Sequence, residues 1–351
     1  MGEDRKNTAA GLKAAAASDV DQITGHRRMR RTRIAEWSRR LTRETRLTVD
    51  DLIWPIFIIP GTNVLEPIDA MPGVNRMSVD KAVEAAKMAA DLGIPALATF
   101  PNVEMEHRNQ TGSYALEADN LINRATRAIK KEVPQIGIIT DVALDPFTDH
   151  GHDGVLRDGE IVNDETVRII AAAAVHQADA GADIIAPSDM MDGRIGAIRQ
   201  SLDAAGHQSV AIMSYATKFA SALYGPYREA IGTSGLLKGD KRTYYLDPAN
   251  ATEAIRDAGL DVEEGADMLM VKPGLTYLDI CRALKDTYGL PVFAYQVSGE
   301  YSMVKAGAAA GYIDGERVMM EKLLAFKRGG CDGVLTYFAP EAARLLAKGG
   351  W

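Results

Sequence analysis

DAGADIIA, residues 179–186, closes one element and opens the next. An Ala-rich stretch ends on Gly181, and after Asp183 an apolar, β-favouring run begins. A glycine there suits the left-handed turn that stops a helix. A continuous apolar run just behind it suits a strand buried on both faces. The chain repeats this junction three more times, as DLGIPALA (91–98), EEGADMLM (263–270) and RGGCDGVL (328–335). Working outward, the strand candidates are WPIFII (54–59), ALATF (96–100), IGIITDVA (136–143), DIIAPSD (183–189), VAIMSY (210–215), MLMVKP (268–273), VFAYQV (292–297) and GVLTYF (333–338). Between them lie stretches of helical spacing. SVDKAVEAAKMAADLG (78–93) and NDETVRIIAAAAVHQADAG (163–181) each begin on a capping residue and end on glycine, and GERVMMEKLLAFKRGG (315–330) also ends on glycine. Eight βα units predict an α/β fold, a (β/α)8 TIM barrel. An open dinucleotide-binding sheet would carry G-x-G-x-x-G after its first strand, and WPIFIIPGTNV does not.

The 351 residues leave room for extensions beyond a barrel of about 250. Hydrophobic residues make up 46%, charged residues 25%, and the net charge is −8. That balance argues against nucleic-acid and membrane partners. The dense basic run is HRRMRRTR (26–33). No apolar run approaches the roughly 20 residues of a membrane span, and the N-terminus lacks the apolar core of a secretory signal. Cys281 and Cys331 carry no pairing motif, which points to a reducing, cytoplasmic location. Residues 1–27, polar and Ala-rich, are expected to be disordered. Residues 28–50 are a candidate arm for subunit contacts: Ile34, Trp37 and Leu41 make an apolar stripe in RMRRTRIAEWSRRLTRET (28–45) that needs an apolar surface to cover, the barrel's own or a neighbouring subunit's. The barrel would occupy 51–351.

Barrel chemistry sits at the C-terminal ends of the strands. Those ends carry Asp141 and Asp145, Ser188 and Asp189, Lys218, Lys272, Ser298, and Tyr337. Lys272 in LMVKPG and Lys218 in MSYATKFAS fall at adjacent strand ends. Ammonium groups on neighbouring strands repel, which lowers the pKa of each and favours the free amine that an imine requires. The bland reading pairs each lysine with an aspartate. YGPYREAIGTSGLLKGDKRTYYLDP (224–248) is Gly-rich and basic, with Arg228, Lys238, Lys241 and Arg242, and reads as an anion-binding lid over about 224–246. DVALDPFTDHGHDG (141–154) packs four aspartates with His150 and His152, a candidate metal cluster or acid–base wall.

Seven ordered motifs then resemble the porphobilinogen synthase (5-aminolevulinate dehydratase) family: DVALDPFTDHGHDG, APSDMMDGRIGAIR, SYATKFASALYGPYREA, DPAN, MLMVKPG, YQVSGEY and GVLTYFA. The resemblance runs from about residue 29 to the C-terminus. It implies a lyase that condenses two 5-aminolevulinate molecules to porphobilinogen with loss of two waters, an early step of tetrapyrrole biosynthesis. It implies an imine to the first substrate on Lys272 and to the second on Lys218. Ser298 and Tyr337 would hold the first carboxylate, and Arg228 and Lys241 the second; Ser188 is a further substrate-binding candidate. Asp145, Asp153 and Asp189 are the candidates for proton transfer. Where many relatives read TYQMDP, this chain reads TYYLDP, with Tyr245 in place of Gln. The resemblance further implies a homo-octamer, or a hexamer in regulated members. A class I aldolase and a non-enzymatic binding subunit are the competing readings.

Zinc-dependent members of that family carry three cysteines where this chain has Ala143, Asp145 and Asp153. Zinc held by thiolates is therefore excluded. Aspartate oxygens would suit Mg²⁺ or K⁺, or a metal-independent centre with the lysines as counter-ions, and the last is the expectation. No organic cofactor is expected. Some relatives bind an allosteric Mg²⁺ through a glutamate fifteen residues before the first lysine, and Asp257 stands there. His150 and His152 lack a third soft ligand nearby, which favours hydrogen-bonding roles.

Overall fold

The protein was analysed as a computed structural model, which describes residues 28–237 and 239–349. The predicted disorder of 1–27 and the predicted lid cation Lys238 lie outside the described residues. The chain divides into two units between Arg46 and Leu47. In the first, a 3-10 turn over Met29–Arg33 leads to a helix over Glu36–Thr42. Ile34, Trp37 and Leu41 are exposed on this helical unit by 74%, 70% and 78%.

The second unit is the barrel. Its strands are β1 Leu52–Ile58, β2 Ala96–Pro101, β3 Gly137–Val142, β4 Ile184–Pro187, β5 Ala211–Lys218, β6 Met268–Lys272, β7 Val292–Gln296 and β8 Gly333–Thr336. All neighbours pair in parallel. The ring closes where Leu52 and Ile53 of β1 meet Val334 and Leu335 of β8. A short hairpin, Leu65–Pro67 with Asn75–Met77, joins the edge of β1. Apolar strand residues such as Leu97, Ile138, Leu269 and Val334 are fully buried, as sandwiching between barrel interior and helices demands.

The repeated junction does two jobs. Gly93, Gly181, Gly265 and Gly330 all take positive φ, from 77° to 104°, which turns the chain off the helix end. Asp183, Asp267 and Asp332 then clasp the start of the strand next door. Their carboxylates accept from the amides of Ile138 (2.8 Å), Ile212 (2.8 Å) and Val292 (2.7 Å). Their own amides donate back to the carbonyls of those residues. Lys130 and Lys285 brace two of the clasps, at 3.0 and 2.8 Å.

Helix starts differ in detail from the reading of the sequence. Ser78 flanks the helix Val79–Asp91 without a side-chain cap, because its hydroxyl accepts from Val64 N and donates to Asp80. Asn163 lies inside the helix Asn163–Asp179, and its carboxamide holds Asp192 instead. Asp314 does cap Gly315–Arg328, accepting from Arg317 N at 3.1 Å.

Candidate active site

A bulge decides where the second lysine points. Leu269 of β6 pairs with Ser214 of β5, but Val271 pairs with Thr217 and Lys272 with Lys218, so β5 carries one extra residue in between. Ser214 faces outward, its hydroxyl on Asp261 of the helix Ala251–Glu263. Four residues on, Lys218 would face the same way in a regular strand. The extra residue reverses the alternation and brings Lys218 beside Lys272, side chains inward.

Lys272 is 3% exposed. Its amine lies among four tyrosine rings, 4.7 Å from the centroid of Tyr295, 4.8 Å from Tyr227, 5.0 Å from Tyr215 and 5.7 Å from Tyr224. Among the described residues no carboxylate lies within ion-pair distance of it. Burial first, and the charge of Lys218 second, push its pKa down to about 7. Near neutrality it is thus poised between ammonium and nucleophilic amine.

Lys218 is as buried, at 4% exposed, but paired. Its ammonium stands 3.1 Å from Asp153 Oδ1 and donates to the Ser188 carbonyl. Asp153 collects three more donors: Lys241 Nζ at 2.6 Å, Tyr244 OH at 3.0 Å, and Tyr245 OH at 3.0 and 3.1 Å from its two oxygens. Burial alone would raise the pKa of Asp153, but Lys218 and Lys241 outweigh it and hold the carboxylate well below its usual range. Asp145 behaves oppositely. Burial raises its pKa and the Asp153 charge raises it further, while Lys241 at 3.6 Å offsets only part. Asp141 is pushed up to about 6 by burial and Asp145. One oxygen each of Asp141 and Asp145 has no protein partner. The wall therefore holds one fixed anion and two carboxyls that bind protons more readily.

The pocket between these groups is tight, about 20 Å³, and is lined by Asp145, Lys218, Lys272, Arg228, Lys241 and Tyr245, among others. It is the convergence of these charged and phenolic groups, rather than open volume, that marks a small-molecule site. Two arginines brace the base of the lid: Arg76 Nε donates to Ala230 O at 2.8 Å and Arg108 Nη2 to Ile231 O at 2.9 Å. The remaining predicted residues stand back from the pocket. Asp189 accepts from Met191 N at 2.8 Å and faces Arg194 at 3.8 Å, and burial raises its pKa to about 7. Ser298 Oγ accepts from Tyr227 N at 2.9 Å, and Tyr337 OH meets Tyr295 OH at 2.9 Å. Ser188 contributes its backbone carbonyl to Lys218. Asp257 lies outside the barrel, in a second pocket with Asp192 and Glu253.

The His pair is tied into hydrogen bonds. His150 Nε2 meets Gln110 O at 3.2 Å, its Nδ1 accepts from His152 N, and His152 Nδ1 meets Tyr244 OH at 2.9 Å. Thiolate-bound zinc does not fit this donor set: Ala143 offers nothing, and the oxygens of Asp153 already serve two ammoniums and two phenols. Among the described residues, the tight group of His and carboxylate ligand atoms is Glu104, Glu106 and His107, exposed on the loop after β2. The tyrosine cage was not read from the sequence. Its signal was there, in Tyr215 of the lysine strand and in YGPY (224–227), but the facing of those rings depends on the bulge.

A closed parallel barrel with two buried lysines paired at adjacent strand tips of one mouth defines a protein of the barrel-enzyme class. More narrowly, the chain belongs to the delta-aminolevulinic acid dehydratase family, whose model matches residues 26–345. It is 59% identical over 323 residues to the delta-aminolevulinic acid dehydratase of Bradyrhizobium diazoefficiens, covering 92% of each chain. It is 53% identical to that of Rhodobacter capsulatus, over 91% of this chain and 96% of the relative. The crystal structure of the Toxoplasma gondii delta-aminolevulinic acid dehydratase (porphobilinogen synthase), in complex with the reaction product porphobilinogen, superposes with a TM-score of 0.91 at 42% identity, covering 92% of each chain. Among the described residues no helix is long and apolar enough to cross a membrane.

Proposed function

We propose that the mouth of this barrel condenses two molecules of 5-aminolevulinate into porphobilinogen, with Lys272 and Lys218 each holding one substrate as an imine. The observation that carries the assignment of the lysines is their direct pairing across β5 and β6. Each amine adds to a ketone carbon, and the carbonyl oxygen leaves as water as the C=N bond forms. The imine then draws electrons from the adjacent carbon and acidifies it for C–C bond formation. Two tethered substrates make that step local.

The two substrates are identical, and the site distinguishes them by charge. The first meets a low-pKa amine in a neutral tyrosine cage, and the second meets an amine held by Asp153 with Arg228 and Lys241 on the wall. These two cations hold the second carboxylate. Ser298 and Tyr337 hold the first by turning their hydroxyl protons to it, Ser298 from Leu223 O and Tyr337 from Tyr295 OH, and Ser188 orders the loop after β4 through its bond to Lys218. Proton transfer falls to Asp145, which lines the pocket with its pKa raised. Asp153 is too well compensated to take protons readily, and Asp189 is engaged behind the wall.

Catalysis in this reading needs no metal and no organic cofactor, because the lysines supply the positive charge at the mouth. Away from it, the carboxylates of Asp257, Asp192 and Glu253 would hold a hydrated Mg²⁺ or a weakly bound K⁺, which supplies charge compensation. The apolar stripe of Ile34, Trp37 and Leu41 supports a homo-oligomer, an octamer or a hexamer, in which neighbours cover it. The test is conversion of 5-aminolevulinate to the product that colours with an aldehyde reagent, before and after exhaustive chelation. No product with or without Mg²⁺ would sink the reading in favour of a class I aldolase.

A further inference from the structure

The end of the lid is anchored to the lysine strand. Leu246 N donates to Lys218 O at 3.0 Å, and Ala220 N donates to Leu246 O at 2.8 Å. Tyr245, one residue before, is thereby fixed relative to β5. Its ring lies 4.4 Å from Lys218 Nζ, and its hydroxyl spans both oxygens of Asp153. Lys241 reaches the same carboxylate differently. It arrives on a long flexible stem from the start of a turn that Tyr245 N closes onto Lys241 O, at 2.9 Å. It also lines the pocket with Arg228.

One ammonium does not serve Asp153 and a substrate carboxylate with equal strength. When Lys241 turns to substrate, Asp153 keeps Lys218 and the two phenols. The charged and titratable side chains that bear on Asp153 are Lys218 from β5, Lys272 from β6, Tyr224, Lys241, Tyr244 and Tyr245 from the lid segment, and Asp145 and Asp189 from the loops after β3 and β4. Of the two phenols only Tyr245 spans both oxygens; without it Asp153 would keep Lys218 on one oxygen and Tyr244 on the other, and would turn more freely, taking the amine of Lys218 with it.

We propose that Tyr245 is a positioning residue for Lys218: from its anchored backbone it holds Asp153 in place, so that Lys241 is free to exchange between Asp153 and the substrate carboxylate. This role rests on the imine assignment of Lys218 made above.

Borohydride trapping with 5-aminolevulinate tests it, with the label on Lys218 and on Lys272 quantified separately by peptide mass spectrometry. A hydrogen bond to a charged group is lost in Tyr245→Phe while the ring remains. The rate of labelling at Lys218 should fall about tenfold. Labelling at Lys272 should stay within about twofold, because its tyrosine cage is left intact. Tyr245→Gln restores a donor and should recover part of the rate. Unchanged labelling of Lys218 in Tyr245→Phe would overturn the proposal. So would equal slowing at both lysines, which is general loosening of the site, or no recovery with Gln. Absence of label on either lysine of the unaltered protein would overturn the imine assignment itself, and this role with it.

Discussion

Replacing Lys218 with Met removes a positive charge from beside Lys272 and leaves a stem of similar length. The pKa of Lys272 sits at about 7, with burial the larger cause and Lys218 the next. Two charges separated by the spacing of adjacent strands, about 5 Å, repel at an effective dielectric of about 20 by roughly 3 kcal/mol, or about two pKa units. In the variant, the free amine of Lys272 should therefore form about two units higher, near pH 9. At pH 7 its share drops from about one half to about one per cent, so imine formation at Lys272 should slow roughly fiftyfold. Turnover is lost in this variant, so the assay is the pH dependence of borohydride labelling at Lys272 alone. In the unaltered protein labelling rises through about pH 7, because the amine deprotonates above its pKa. The same midpoint in Lys218→Met would refute the claim that the neighbouring ammonium sets the nucleophile, leaving burial as the whole cause.

Arg228→Ala removes a cation from the pocket wall, and the half-saturating concentration of 5-aminolevulinate should rise at least tenfold in steady-state assays; an unchanged value would remove Arg228 from carboxylate binding. Asp189→Asn bears on stability. The folded-state pKa of Asp189 is raised to about 7, so its contribution is present at low pH and lost as pH climbs from about 4 to 7. The variant lacks that loss, so its Tm relative to the unaltered protein should be more favourable at pH 8 than at pH 5, and a pH-independent difference would contradict the shift. Asp267→Ala strands the Ile212 amide at the opposite end of the barrel from the pocket. It should cost about 1 kcal/mol, roughly 2–3 °C in Tm. Its kcat should remain within twofold, and a larger kinetic loss would mean that the clasp shapes the mouth.

Much of the barrel could be read from the chain because its units repeat a local code. A helix that ends on glycine and a strand apolar on both faces are short-range facts, and DAGADIIA carries both. The two lysines were legible for a similar reason, since each sits at a strand tip. Other features depended on long-range geometry. The bulge between Ser214 and Thr217 leaves no mark in composition, yet it decides that Lys218 faces inward. The cage of Tyr215, Tyr224, Tyr227 and Tyr295 comes from three elements and exists only once β5 and β7 are in register around Lys272. Ser78 and Asn163 were read as caps because their types favour capping, but competing partners, Asp80 and Asp192, take their side chains. Asp153 was legible as one acid among four; its place as the hub of four donors was not.

The aspartate clasps give the ring a grain. Each ties an odd strand to the even strand that follows it, β3 to β4, β5 to β6 and β7 to β8. Every such pair, with the helix between, closes on itself through bonds made by its own residues. The barrel is thus divided, at its floor, into quarters, three of them stitched internally; the quarter of β1 and β2 has Pro95 where the others carry the aspartate, and no such clasp. Seams fall between quarters, as in the turn after Ala204 that leads into β5. Native-state hydrogen exchange should reveal protection lost quarter by quarter, and a circular permutation opened at that turn would cut no clasp, whereas one opened between β5 and β6 would have to carry its clasp across new termini.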